Sequence, residues 1–273
     1  MPGPRLLIPP GSPLTVADFA DVLAQVCLGQ KLSSVHVTFC PRDTYDALGT
    51  AGWLQRLGTQ YHWHNDNFAS FDGFLARLNS RKRKSIKRER RDANAAGLVF
   101  HTLSGAAITR AHWSAFYRFY QSTVDRKWGS AYLTPEFFPL LGARLGDQVV
   151  LMLAEDRGQF VAGALNLRGD DALFGRNWGC IGDYPFLHFE LCYYRAIEFA
   201  IAHGLQRVEA GAQGEHKIQR GYLPQPTYSA HFIANTGLRR AVAAFLEQER
   251  PAQLAEMEAL ATLSPFRQGT EGD

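Results

Sequence analysis

The chain has 273 residues, 46% apolar and 12% aromatic, enough to bury a core in one large or two smaller domains and too apolar to be disordered. Its formal charge of +3 is uneven, because residues 81–91 hold eight Lys or Arg and one Glu, a net +7 that leaves −4 for the rest. This excludes a generally basic surface adhering to nucleic acid or membrane and points to one local anionic contact.

The Pro-rich start MPGPRLLIPPGSP lacks the charged opening and apolar run of a signal peptide, and no stretch of about 18 apolar residues follows. A soluble, cytoplasmic protein without membrane insertion is expected. TVADFADVLAQVCLG reads as an amphipathic helix with Thr15 as N-cap and Gly29 past its end. SSVHVTF alternates as a strand, RDTYDALGTAG is a short helix, and a second strand lies around TQYHWHN. Phe71, Phe74, Leu75 and Leu78 fall at i, i+3, i+4 and i+7, one packed helix face. The basic run SRKRKSIKRERR follows directly.

LVFHTL reads as a strand, TRAHWSAFYRFYQSTVDRKWG as a long aromatic helix, and a shorter helix opens at Thr134-Pro135. A meander follows, QVVLMLAE, QFVAGALNLR and ALFGRNWGC, with turns at Asp156-Arg157-Gly158 and Gly169-Asp170-Asp171. FLHFELCYYRAIEFAIAHG is a helix with an unusually apolar face, RVEAGA a short strand, GEHKIQRGYLPQP a polar connection and TYSAHFI a last strand. A C-terminal amphipathic helix runs from about Leu238 to Leu260. Hairpin strands, then a helix, then a strand is an α+β order.

Four stretches could carry chemistry. With Ser80 as cap, Arg81, Lys82, Arg83 and Lys84 fill a first helical turn, where positive charge opposes the macrodipole unless an anion binds there. The same run could equally be a solvated helix face with Glu89 paired to Lys82. Residues 211–224, GAQGEHKIQRGYLP, put Glu215, His216, Lys217, Arg220 and Tyr222 after a small-residue strand end, where side chains can enter a cleft.

His188 and Glu190 start the apolar helix, so at least one points inward, to a structural hydrogen bond or to a site. His62 and His64 form an HxH around Trp63, short of the four ligands a structural zinc needs. Cys27, Cys40, Cys180 and Cys192 lack CxxC spacing and read as buried thiols in a reducing compartment. No metal site is expected. The rings of Trp113, Phe116, Tyr117, Phe119 and Tyr120 read as core, with room for one of them to line a pocket, and Asp125, Arg126 and Lys127 before Trp128 as the polar helix end.

YHWHN, SFDGFLARLNSRKRKSIKRERR, FYRFYQSTVDRKWG, GALNLR, GRNWGC, FLHFELCYYRAIEFAI and EAGAQGEHKIQRGYLPQPTYSAH together resemble the FemAB-like proteins of peptidoglycan biosynthesis or recognition, a branch of the GNAT-type acyltransferases. The resemblance implies a GNAT-like α+β fold with a mixed, mostly antiparallel sheet flanked by helices. It further implies a partial N-terminal lobe over 1–66, a basic helical connection over 67–97 and a C-terminal GNAT-like domain over 98–273. Fem ligases transfer amino acids from aminoacyl-tRNA to a peptidoglycan precursor and carry a basic helix and a Gly-rich strand end followed by a basic, aromatic connection.

By that likeness Arg81, Lys82, Arg83, Lys84 and Lys87 would meet phosphate of tRNA or of a nucleotide-linked precursor. Residues His216, Glu215 and Lys217 would be catalytic, and Arg220, Tyr222, His188, Glu190, Arg176 and Trp178 would bind substrate. The implied reaction is attack of an amine on an activated ester, with no tightly bound cofactor. A non-catalytic protein that binds such a precursor or RNA would need the same cleft. Two departures matter. Relatives carry roughly another hundred residues before this start, which reads as a shortened N-terminal lobe. Acetyl-CoA enzymes place a Q/R-x-x-G-x-G/A loop before the apolar helix, and IGDYPFLHF lacks it, which disfavours acyl-CoA as donor.

Overall fold

The computed structural model describes residues 1–95, 97–126 and 129–267, and they fall into two compact units. The first comprises residues 1–60 and 224–263. Helix α1 (Val16–Gly29) opens on a capping box in which Thr15 Oγ1 accepts from the Asp18 amide and Asp18 accepts from the Thr15 amide. Strand β1 (Ser34–Cys40), helix α2 (Arg42–Thr50) and the first part of β2 (Leu54–His64) follow. The last strand, β8 (Leu223–Ile233), pairs antiparallel with β1, from Ser34 opposite Ile233 to Cys40 opposite Tyr228, and lies between β1 and β2. Ala20, Val37, Tyr45, Leu48, Trp53 and Leu57 form the core. Helix α9 (Thr236–Ala261) is tied to β2 by the Arg56–Glu249 ion pair at 2.6 Å.

The second unit runs from Tyr61 to Leu223 and takes back residues 264–267, whose Phe266 bridges to Leu78. It contains helices α3 (Phe71–Arg77), α4 (Ser80–Ala95), α5 (Arg110–Arg126) and α6 (Phe137–Leu145), with strand β3 (Val99–Ser104) between α4 and α5. The meander β4 (Val149–Asp156), β5 (Gln159–Arg168) and β6 (Ala172–Cys180) is antiparallel and pairs with β3 at its outer edge. From Val149 to Ala154 every residue of β4 is buried, as expected of a strand covered on both faces. Trp113, Phe116, Phe119, Tyr120 and Phe138 form the core beside it. A Cβ at Gly179 would lie 2.0 Å from the Phe119 carbonyl oxygen, so only glycine lets α5 pack this close to β6.

The apolar helix is one rod in three segments: α7 (Leu187–Phe189), a π-helical turn over Glu190–Tyr194, and α8 (Arg195–Ala202). It crosses over to β7 (Arg207–Glu209), which runs parallel to β6 and antiparallel to the end of β2. The expected architecture, α+β with a mixed, mostly antiparallel sheet flanked by helices, is the one observed.

The division along the chain differs from the expected 1–66, 67–97 and 98–273. TYSAHFI hydrogen-bonds to β1 and so returns 224–263 to the first unit, and the basic helix is built into the second by its own buried side chains. Ser80 is the first helical residue of α4 rather than its cap; Asn79 Oδ1 accepts from the Lys82 amide at 3.0 Å instead.

Candidate functional site

The site follows from where β6 and β7 part. They pair only from Ala172–Arg207 to Phe174–Glu209. Beyond Phe174, β6 continues against β5, whereas the chain after Glu209 turns to β2, Ala210 donating to the Tyr61 carbonyl and Tyr61 to that of Gly211, each at 3.0 Å. The gap is a cleft of about 740 Å³. Its walls come from the end of α5 (Tyr120, Thr123), from β5 (Asn166), from β6 (Arg176, Trp178), from the π turn and α7 (His188, Cys192, Tyr193) and from the 210–217 connection.

That connection is a 3₁₀ helix, Glu215–Arg220, entered through Gly214 at φ 98° and left through Gly221 at φ 86°. It points Lys217 inward, 5% exposed, with Nζ donating to the carbonyls of Ala210 at 2.5 Å and Gly211 at 3.4 Å. Among the described residues no carboxylate pairs with it, and burial lowers its pKa to about 8. His216 Nε2 lies 3.0 Å from the Tyr193 hydroxyl. Burial, then the charges of Arg220 and Lys217, lower the His216 pKa, so the ring is neutral near pH 7. His188 packs on Trp178 with centroids 5.1 Å apart and on His216 at 6.1 Å, and burial first, then its cationic neighbours, bring it to about 4.

Behind this wall lies an ion-pair network. Arg220 Nη2 donates to Glu89 at 2.8 Å, Nε to the Tyr194 hydroxyl at 3.0 Å and Nη1 to the His216 carbonyl at 2.8 Å. The Tyr194 hydroxyl donates to the same Glu89 carboxylate. One residue further along α4, Arg90 is held by Glu190 at 3.0 Å and Glu198 at 2.6 Å, and Arg195 lies 3.2 Å from Glu190.

Of the residues singled out in the sequence, His216, Lys217, His188, Arg176 and Trp178 line the cleft. Glu215 is exposed beside it. Arg220 and Glu190 are buried in the network, and Tyr222 is fully buried with its hydroxyl donating to the Tyr193 carbonyl at 3.1 Å; none of the three lines the cleft. They hold residues of the lining in place instead: Arg220 through the His216 carbonyl and Tyr222 through that of Tyr193. Arg81, Lys82, Arg83, Lys84 and Lys87 do not line the cleft either; Arg81 and Lys84 are exposed and Lys87 pairs with Asp72 at 3.5 Å. Glu89 is not on a solvated face with Lys82 but is the buried partner of Arg220. Tyr120 is the aromatic of α5 that reaches the cleft, whereas Lys127 and Trp128 lie outside the described residues.

Tyr193, Asn166 and Gln213 belong to the lining but not to the sequence candidates. Asn166 left a signal, a buried amide in the otherwise apolar run GALNLR. Tyr193 left none, since a π turn has no sequence mark. His62 and His64 have ring centroids 6.2 Å apart, and His62 lies 3.9 Å from Glu209. Among the described residues no group of three or more His, Cys, Asp or Glu is placed to hold a metal ion, and no helix is long and apolar enough to cross a membrane.

Among solved structures the chain is similar to L-PGS from Bacillus licheniformis, at 9% identity over 84% of this chain and 78% of that one, TM-score 0.60. It is similar to the C-terminal domain of a putative lysylphosphatidylglycerol synthetase from Agrobacterium fabrum, at 12% identity over 85% and 78%, TM-score 0.58. It is also similar to FemX, at 11% identity over 85% and 81%, TM-score 0.57. At these identities the likeness is one of fold. No curated protein sequence matches. The family model for FemAB-like proteins, described as peptidoglycan biosynthesis/recognition, matches residues 1–268. With that match spanning nearly the whole chain, the protein belongs to the FemAB-like family.

Proposed function

We propose that the cleft of the second unit transfers an aminoacyl or acyl group from an activated ester to an amine, with aminoacyl-tRNA as donor and a peptidoglycan precursor as acceptor. The observation that carries this reading is Lys217, a buried ammonium at the cleft wall faced by two backbone carbonyls and the Tyr61 ring at 5.6 Å, with no carboxylate paired to it among the described residues. When an amine attacks an ester carbonyl, negative charge grows on the carbonyl oxygen; a preorganised cation out of water stabilises it far better than solvent does. The attacking nitrogen must then lose a proton. Neutral His216, hydrogen-bonded to Tyr193, can take it, and the ester oxygen leaves with a proton returned by the same pair.

The family description and the fold shared with FemX and L-PGS agree with this chemistry. An acyl-CoA donor fits less well, because the segment before α7 lacks a Gly-rich anion-binding loop and carries Asp183, with Asp156 hydrogen-bonded to its Tyr184 at 3.0 Å, and carboxylates disfavour a pyrophosphate there.

The test supplies tRNA charged with labelled amino acids and a nucleotide-linked peptidoglycan precursor to the full chain. Transfer is expected, and Lys217→Ala should reduce it about 10²- to 10³-fold. Undiminished transfer by the variant, or none with any charged tRNA, overturns the reading; tight binding without transfer assigns the chain to recognition instead.

A further inference from the structure

The charge inventory of the cleft is one-sided. Its described lining includes Arg176 and Lys217 but no Asp or Glu. Of the carboxylates nearby, Glu89 is paired with Arg220, Glu190 with Arg90 and Arg195, and Glu209 through one oxygen with Arg207 at 3.0 Å, while Glu215 is exposed to water beside the cleft and is not part of its described lining. Arg176 is exposed at the mouth and makes no hydrogen bond or ion pair among the described residues. The other polar groups facing the space are neutral, among them the amides of Asn166, Asn177 and Gln213.

A ligand ammonium entering this space would lose water, meet the cations of Lys217 and Arg176 and find no anion in the described lining. An acidic or small neutral group meets the reverse: a free guanidinium fork suited to a carboxylate, uncharged amides, and the apolar faces of Trp178, Tyr120 and Tyr132. The α-amino group is common to all aminoacyl esters and does not discriminate among them; the side chain does.

Resting on the transfer reading above, we infer that the aminoacyl group accepted by this cleft has an acidic or neutral side chain, and that lysyl and arginyl groups are rejected by Arg176 and Lys217, with no carboxylate in the described lining to offset them. Discrimination here is by repulsion rather than by a dedicated pocket. Charge inversion at the mouth should therefore move it.

Hydrolysis-resistant 3′-amide analogues of aminoacyl-adenosine, carrying alanyl, glutamyl or lysyl groups, test this by calorimetry on the full chain. The glutamyl and alanyl analogues should bind at least about tenfold more tightly than the lysyl one, the scale of one unscreened like-charge contact. Arg176→Glu should narrow or reverse that ratio while the melting temperature stays put. A lysyl analogue that binds as tightly as the others, or a ratio unmoved by Arg176→Glu, overturns the inference and leaves the transfer reading standing. If no analogue binds to folded protein, both fall.

Discussion

Lys217 and Arg220 sit three residues apart on one 3₁₀ helix and are equally hidden, 5% and 6% exposed, yet their surroundings are opposite. Arg220 faces the back of the cleft wall, where Glu89, the Tyr194 hydroxyl and the His216 carbonyl take up three of its nitrogens. Lys217 faces the cleft with two backbone carbonyls, the Tyr61 ring and, among the described residues, no carboxylate paired to it. A buried cation with a full set of partners fixes structure, while one left short is held ready for charge that is not yet there. The same division runs along α4, where Glu89 and Arg90 turn inward to the network and Arg81, Lys84, Arg88 and Arg91 turn outward.

The contrast breaks most visibly at Glu89. Glu89→Ala would leave the Arg220 guanidinium buried with the Tyr194 hydroxyl and the His216 carbonyl but without its counter-charge, which costs about 3–5 kcal/mol, or on the order of 10 °C in melting temperature. The double change Glu89→Leu with Arg220→Met should recover most of that loss, because apolar groups of similar volume replace a buried pair at little cost. A single variant that melts within 1–2 °C of the wild type, measured by calorimetry, would show that the network carries no stability.

Lys217→Met should behave oppositely. In the folded chain its pKa is about 8 against the model-compound 10.5, so the folded state carries an unfavourable charge at pH 7. Between pH 8 and 10.5 the unfolded chain binds the extra proton, so this group makes stability rise with pH over that window. Below pH 8 the burden is at its full size, about 3 kcal/mol. The methionine variant should therefore melt no lower than the wild type at pH 7, lose the rise above pH 8, and fail in transfer. Transfer by the wild type should decline as Lys217 deprotonates near pH 8. On the acid side it should decline only below the ordinary histidine range, since the His216 pKa is lowered. A methionine variant that unfolds like Glu89→Ala would erase the contrast.

Tyr193→Phe gives a smaller effect. It removes the hydroxyl 3.0 Å from His216 Nε2 and leaves the ring that packs on His188 and Tyr222. Transfer should fall about tenfold, the worth of one neutral hydrogen bond. The melting temperature should hold, and the acid limb of the pH profile should shift, a readout that a packing role alone would leave unmoved.

That the 211–224 stretch reaches a cleft was legible because glycine before a dense run of polar side chains marks a connection free to enter one. What its sequence could not tell is which cation is neutralised. The answer for Arg220 lies 131 positions away, at Glu89, inside a run that reads as solvated charge. The meander was legible from alternation and turn residues, and β5 and β6 begin and end as read. The cleft was not, because it exists where β7 leaves β6 after three residue pairs, and pairing length is decided by which partner wins the next hydrogen bond. Glu190 and Tyr222 show the same limit: their side chains look functional, and burial makes them supports.

The smallest stability effect should come from the outward face of α4, and there the contrast is sharpest within a single helix. Arg81, Lys84, Arg88 and Arg91 recur at i, i+3, i+7 and i+10, one exposed stripe about 15 Å long at 1.5 Å per residue. Arg81, Lys84 and Arg88 have no ion pair among the described residues, unlike Lys87 with Asp72 and Arg91 with Asp92. Replacing those three with Gln removes no buried contact and relieves mutual repulsion, so stability should stay within about 0.5 kcal/mol. Binding of tRNA is a different matter. Each phosphate neutralised releases condensed counterions, so losing three such contacts should flatten the slope of log affinity against log salt by roughly two to three. Glu89→Leu with Arg220→Met in the same assay should leave the slope unchanged, because that pair faces inward and touches no phosphate. A slope untouched by the triple change would mean the stripe is only a solvated face, with the inward half of α4 its whole contribution.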